Sequence, residues 1–406
     1  MVNQIWEERD RSGSGGSKAW VWILILLIVV GVAGYFAYQM YKEKNSTATS
    51  SKTTSSGEKI TISQKILDNK FGWLGGGADD DGSIIVESGG AWVRPHPGAF
   101  VWDMMQKSAN AEIDFTAADK EVKSYEKNNL GILVTIWPFA DWDQKDLANA
   151  ADCKVASNDE FLAKNDEKGR GSYLPEYRCN PGDWKAYQEF VEKIVERYDG
   201  DGINDMPGLT IPIKYWEVMN EPDLQYQNTQ PAGATKSLTF YKQGPTEYAD
   251  LLIKTSVPIR SADPDAKILI AGAAGADPNQ LGFYKSVFTN KETISAFDIG
   301  NIHCISNDQK THDFNVAPYK SMLDSAGVSG KPIWVTEAEA MYGKSGDENY
   351  QTTKTSTAGA LAAGAAKIFF TRYELDDTRT DMSKKSEGGT YPSAEKYAEI
   401  IKSSSN

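Results

Sequence analysis

The sequence predicts an α/β protein built as a (β/α)8 barrel and preceded by one N-terminal transmembrane helix. Three observations predict the barrel. Beyond about residue 60, apolar strand-like runs alternate with helical patterns, which implies a parallel sheet. Two of those runs end in a glutamate, at the strand ends where a barrel keeps its chemistry. No Gly-x-Gly-x-x-Gly follows the first run, which argues against a dinucleotide-binding open sheet. A barrel takes about 250 residues or more, so a chain of 406 residues is not forced into two domains.

Residues 1–18 form a short, polar, glycine-rich tail. Ala19 to Tyr38 is an uncharged apolar run of about bilayer-spanning length. It is longer than the core of a cleaved signal peptide, and no small-x-small site follows, so it reads as an anchor. Arg9, Arg11 and Lys18 precede it and Lys42, Lys44, Lys52 and Lys59 follow it, so charge leaves the orientation open. Residues 39–59 are a Ser/Thr-rich linker, with an Asn45-Ser46-Thr47 glycosylation pattern, and residues 60–406 are the barrel domain.

The strand candidates are Phe71–Gly75, Ala91–His96, Gly131–Phe139, Ile213–Pro222, Lys267–Ala274, Asp298–Ile305, Pro332–Ala340 and Lys367–Leu375. Amphipathic segments between them include Thr116–Asn128, Trp184–Tyr198, Thr246–Ser261, Val316–Ala326 and Thr352–Ala366. The Ala/Gly-rich stretch Ala358–Ala366 reads as a helix packed closely on the barrel.

The chemistry centres on Tyr215-Trp216-Glu217-Val218-Met219-Asn220-Glu221-Pro222 and Pro332-Ile333-Trp334-Val335-Thr336-Glu337. Each is an apolar strand that delivers a glutamate at its end. Paired carboxylates of this kind cleave glycosidic bonds, with Glu221 as acid/base and Glu337 as nucleophile. Glu339 shares a strand face with Glu337, and Glu337 ranks first because it lies nearer the apolar run. A separation of about 5–5.5 Å between the two carboxyls would give retention of configuration. Asn220 could donate to a sugar hydroxyl. His303 alone on an apolar strand would read as a core residue, but its place at a strand end turns it toward the site. His96, beside Arg94, is open between the two, and His312 reads as surface.

Trp137, Trp142 and Tyr173 fall in or after the third strand, in the long segment that Cys153–Cys179 could close; they form either an aromatic cleft wall or a loop core. A Cys153–Cys179 staple would need an oxidising compartment, and Cys304 reads as a buried thiol. Asp199, Asp201 and Asp205 resemble part of a calcium loop on the stability face of the barrel, though the bidentate glutamate ending is missing. Asp79-Asp80-Asp81 is a poor metal loop, because adjacent acids cannot all point inward. The formal net charge of −13 argues against nucleic acid, and three histidines leave little room for a His-rich metal site. No redox or nucleotide cofactor is implied.

From about Lys65 to Ile401 the chain resembles the clan of (β/α)8 retaining glycoside hydrolases with the acid/base on strand four and the nucleophile on strand seven. Asn220-Glu221-Pro222 and Val335-Thr336-Glu337 carry the likeness. The resemblance implies that Asn220 holds the sugar 2-hydroxyl, that Arg94 in Trp92-Val93-Arg94-Pro95-His96 supports the nucleophile, and that His303 lines the sugar site. The details are most similar to the β-xylosidase-like or cellulase-like families. Two departures stand out: Glu339 occupies a position often held by Gly, and Tyr373 stands where many members place a Trp sugar platform. The expectation is a single-pass, membrane-anchored extracellular glycosidase. It would hydrolyse β-linked oligo- or polysaccharides by double displacement and meet the membrane through its N-terminal helix. The alternatives are an inactive glycan-binding protein on the same barrel, or a transglycosylase.

Overall fold

The computed structural model describes residues 59–75, 81–165, 171–226, 236–305, 312–339, 346–371 and 394–404. The expected tail, anchor and most of the linker lie outside the described residues, as do Asn45, Asp79, Asp80 and Tyr373. Among the described residues no helix is long and apolar enough to cross a membrane.

Eight strands form one parallel sheet: β1 (Phe71–Gly75), β2 (Trp92–Pro95), β3 (Gly131–Ile136), β4 (Tyr215–Val218), β5 (Lys267–Ile270), β6 (Gly300–Cys304), β7 (Ile333–Ala338) and β8 (Ala365–Phe370). Their order is β5-β4-β3-β2-β1-β8-β7-β6. The circle closes between β5 and β6 through the parallel bridges Leu269 to Ile299 and Ala273 to Ile302. Between those bridges tyrosine hydroxyls replace the ladder: Ala271 N donates to Tyr248 Oη at 2.8 Å, and Tyr284 Oη donates to Ala271 O at 2.9 Å.

A helix follows each strand: α1 (Ser83–Glu87), α2 (Thr116–Glu126), α3 (Trp184–Glu196), α4 (Pro245–Ala262), α5 (Pro278–Val287), α6 (Val316–Ser325), α7 (Gly346–Ala363) and α8 (Ala394–Ser404). Local chemistry starts them. Asp183 caps α3 by accepting from Ala186 N at 3.0 Å, and Glu247 reaches back to Gly244 N at 3.1 Å ahead of Pro245 in α4. The buried stripe of α3, Tyr187, Phe190, Val191, Ile194 and Val195, has helical spacing.

Several boundaries differ from expectation, among them the ends of β3 at Ile136 and β5 at Ile270, and two have a clear backbone cause. The helical reading of Ala358–Ala366 fails at its end, because α7 stops at Ala363 and β8 begins at Ala365. Gly364, at φ 106°, takes a backbone conformation that ends the alanine-rich helix. β4 stops at Val218 rather than continuing to Pro222, since Met219 has φ 71° and Glu221 φ 42°.

The bore is layered by the strand period of two. At its base Trp92, Leu133, Tyr215, Leu269, Ile299, Trp334 and Phe369 pack over Ile66. Each Leu, Ile or Phe buried this way contributes about 1.5–3 kcal/mol. Lys367 Nζ lies 4.4 Å from the centre of the Trp92 ring and donates to Leu67 O at 2.9 Å and Asn69 O at 2.6 Å. Two residues further along their strands come Arg94, Thr135, Glu217, Asn301 and Thr336, all buried. That polar layer carries the site above it.

Candidate active site

Two irregularities place the carboxylates. Beyond β4, Met219 N donates to Ile136 O at 3.1 Å and Glu221 N to Gly272 O at 3.2 Å, tying the left-handed turn to both neighbouring strands. Non-glycine residues in such conformations cost of order 1–3 kcal/mol each, which these ties offset. On β7, Val335 pairs with Ile302 of β6, yet the next β6 residue, His303, pairs with Glu337. Thr336 is the extra residue of a bulge. Two successive side chains, Thr336 and Glu337, therefore both enter the bore.

Arg94 joins three acceptors: Nε to Glu217 Oε2 at 2.8 Å, Nη1 to Glu337 Oε1 at 2.8 Å and Nη2 to Asn220 Oδ1 at 2.5 Å. His303 Nδ1 lies 2.7 Å from Glu221 Oε1 and 3.7 Å from Glu337 Oε1. Side-chain atoms of Glu221, His303 and Glu337 lie within 4.8 Å of one another. One carboxylate oxygen of Glu221 therefore lies within 4.8 Å of one of Glu337.

Burial pushes Glu221 up to about 8, against the pull of the Arg94 guanidinium. It also raises Glu337, opposed by His303 and by the direct Arg94 bond. His303 is pushed down to about 4 by burial. The two carboxyls thus sit in unequal environments, Glu337 bonded directly to Arg94 and Glu221 not. Asn220 Nδ2 is buried and has no hydrogen-bond partner among the described residues. An unmet buried donor beside two carboxylates suits a ligand hydroxyl.

Arg94, Asn220, Glu221, His303 and Glu337 therefore come together. Glu339 lies higher on the same strand end, its N donating to Cys304 O at 2.7 Å and its Oε2 3.4 Å from Thr371 Oγ1. His96 is half-buried among the rings of Phe161, Trp137 and Phe240, with centroids 5.4–5.8 Å away. Trp137 stands beside His96, at a ring-centroid distance of 5.8 Å. It is fully buried, with Nε1 donating to Pro97 O at 2.7 Å. Trp142 likewise packs on Trp102, which makes this stretch of the segment a loop core. Tyr173 is half-buried and bonds Asp103 at 3.1 Å. His312 is exposed.

Cys153 and Cys179 form a disulfide, and Cys304 is a buried free thiol. The same loop is fixed by a buried ion pair, Arg178 to Asp159 at 2.9 Å. Asp199, Asp201 and Asp205 gather oxygens within 4.8 Å, so they could hold an ion ahead of β4. Glu217, Thr135, Asn301 and Thr336 were not singled out by the sequence. The usable signal was Glu217, an acid inside an otherwise apolar strand, which needs a buried cation such as Arg94. Gly272 also matters: a Cβ there would lie 2.0 Å from His303 Nε2.

No family model and no curated protein sequence matches the chain. Solved structures do match it. A glucosidase from Croceicoccus marinus is 15% identical with a TM-score of 0.57, over 86% of this chain and 69% of that one. A monomeric β-xylosidase from Caulobacter crescentus CB15 is 15% identical at TM-score 0.53, over 84% of this chain and 69% of that one. A psychrophilic family 10 endo-β-1,4-xylanase is 14% identical at TM-score 0.52, over 84% of this chain and 99% of its own. In fold, the chain is similar to glycoside hydrolases whose eight parallel strands form a barrel.

Proposed function

We propose that this protein hydrolyses β-glycosidic bonds with retention of configuration. The observation that carries this reading is the close, buried Glu221 and Glu337 pair, one carboxyl raised and the other bonded to Arg94. Glu337 attacks the anomeric carbon while Glu221 gives its proton to the leaving oxygen. Glu221 then takes a proton from water, and that water displaces Glu337 from the sugar. Asn220 Nδ2 is available to hold a hydroxyl beside the reacting carbon. The apolar run Ala19–Tyr38 and the Cys153–Cys179 disulfide support a domain anchored to a membrane and facing an oxidising exterior. Protease treatment of intact cells should remove the domain if that placement holds.

The decisive experiment is labelling with 2-fluoroglycosides, xylosyl and glucosyl donors among them, read by peptide mass spectrometry. A label on Glu337 is expected. A label on Glu339 would keep the reaction and move the nucleophile. No label from any sugar, with oligosaccharide binding intact, would replace the hydrolase with a glycan-binding protein.

A further inference from the structure

The hydrogen-bond polarity inside the bore can be traced outward from Glu217. Its carboxylate faces Arg94 Nε at 2.8 Å, Thr135 Oγ1 at 2.5 Å, Asn301 Nδ2 at 2.7 Å and Gly272 N at 3.3 Å. Paired with the Arg94 guanidinium and faced by the Gly272 amide, neither of which can accept, it acts only as an acceptor. Asn301 must therefore turn its amide nitrogen toward Glu217, which leaves Asn301 Oδ1 facing Thr336 Oγ1 at 2.7 Å. An amide oxygen has no hydrogen to give, so Thr336 donates its only hydroxyl hydrogen there. For His303 Nε2, 2.8 Å away, Thr336 has only lone pairs left, and Nε2 must carry the hydrogen. A neutral imidazole protonated on Nε2 has a bare lone pair on Nδ1. The hydrogen in the 2.7 Å contact between Nδ1 and Glu221 Oε1 then belongs to Glu221.

We propose that Asn301 and Thr336 are positioning residues that fix His303 as its Nε2–H tautomer and so keep the catalytic proton on Glu221. The inference rests on the reading of Glu221 as acid/base. Its cost structure is visible in the chain of partners. Ionised Glu221 would face the Nδ1 lone pair. If the imidazole changed tautomer instead, Thr336 would have to turn its hydrogen to Nε2, and Asn301 Oδ1 would lose its donor. Once Glu221 has protonated a leaving group, that mismatch favours its taking a proton back from the attacking water.

The charged groups around the ring agree. β7 presents Glu337 and β4 presents Glu217, which favour a charged imidazole; β2 presents Arg94, which opposes it; the turn after β4 presents Glu221, uncharged while it holds its proton, and the segment after β5 presents Gly272. Burial decides the balance toward the neutral ring. Around Glu221, Arg94 favours the anion, whereas Glu217 and the buried Asp223 favour the acid.

The test uses the full chain with 15N-labelled histidines; three histidines make the spectrum assignable. At neutral pH, His303 should show a protonated Nε2 and a bare Nδ1. An imidazolium, or a hydrogen on Nδ1, would overturn the proposal. Beside it, kcat/KM against pH is compared for wild type, Thr336→Val and Thr336→Ser. Thr336→Val should move the alkaline limb down by about one pH unit or more, and Thr336→Ser should restore it. An unmoved limb in a folded valine variant would also overturn it; if that variant does not fold, the wild-type spectrum decides. The spectrum needs no turnover. A chain that cleaves no glycoside yet shows the Nε2–H ring upholds the relay and sinks the hydrolase, and the opposite pair of results sinks the relay alone.

Discussion

Arg94 binds Glu217, Asn220 and Glu337 from a single guanidinium, all of it out of water. Removing one member of such a buried set leaves an uncompensated charge rather than a lost contact. Glu217→Ala should therefore cost about 3–5 kcal/mol in urea unfolding, although Glu217 touches no substrate in the proposed reaction. Glu221→Ala should behave in the opposite way. It should keep the fold and lower kcat/KM about 10²–10⁴-fold on glycosides with poor leaving groups, with a far smaller loss when the leaving group needs no proton. Steady-state rates on a matched pair of substrates check this. Glu221 and Glu337 were legible because each closes an apolar run, where a stray acid is costly. Asn301 and Thr336 were not, because a short polar side chain inside a strand carries no sign of which way it faces or whom it meets.

At the scale of the element, the site depends on departures from regular strands. Period-two reasoning places Glu337 and Glu339 on one face, but it cannot foresee the bulge that brings Thr336 and Glu337 into the bore together. Alanine propensity similarly hid the end of α7, which Gly364 sets by its backbone conformation. Gly272 is the tightest position on β5's continuation. Gly272→Ala should displace the His303 ring, cost about 1–3 kcal/mol by overpacking, and flatten the alkaline limb's dependence on Thr336. Thermal melting and the pH profile read the two effects separately. The loop after β3 is held by Cys153–Cys179, across a sequence separation of 26. Replacing both cysteines with serine should lower stability by about 3 kcal/mol in denaturant titrations.

For the molecule as a whole, barrel order was readable because strands buried on both faces leave unbroken apolar runs between amphipathic helices. The polar middle of the bore was not, since its residues come from strands far apart in sequence. That buried layer also sets how stability responds to pH. Glu221 has its folded value raised from 4.5 to about 8. Its contribution is therefore fully present below 4.5 and is lost as pH rises toward about 8, because across that window the folded chain keeps a proton that the unfolded chain has released. The buried Asp223, raised as well, adds in the same direction. Below pH 6.5 the buried His303, lowered to about 4, works the other way, so melting temperature should fall most clearly between about pH 6.5 and 8, by the equivalent of roughly 1.4 kcal/mol per unit at its steepest for each such group, and Glu221→Gln should flatten the curve. The wall that encloses this chemistry has a join. Where β5 meets β6, the ladder is reduced to two bridges, with tyrosine hydroxyls filling the space between. A vessel opens at its seam, so in deuterium the amides of Ile270 and Ala273 should exchange ahead of those inside β7. The amide of His303 crosses that same seam to Ala273 O at 2.8 Å. Each breath of the wall would then lift the imidazole from Glu221, making the barrel's mechanics a clock for the site's proton.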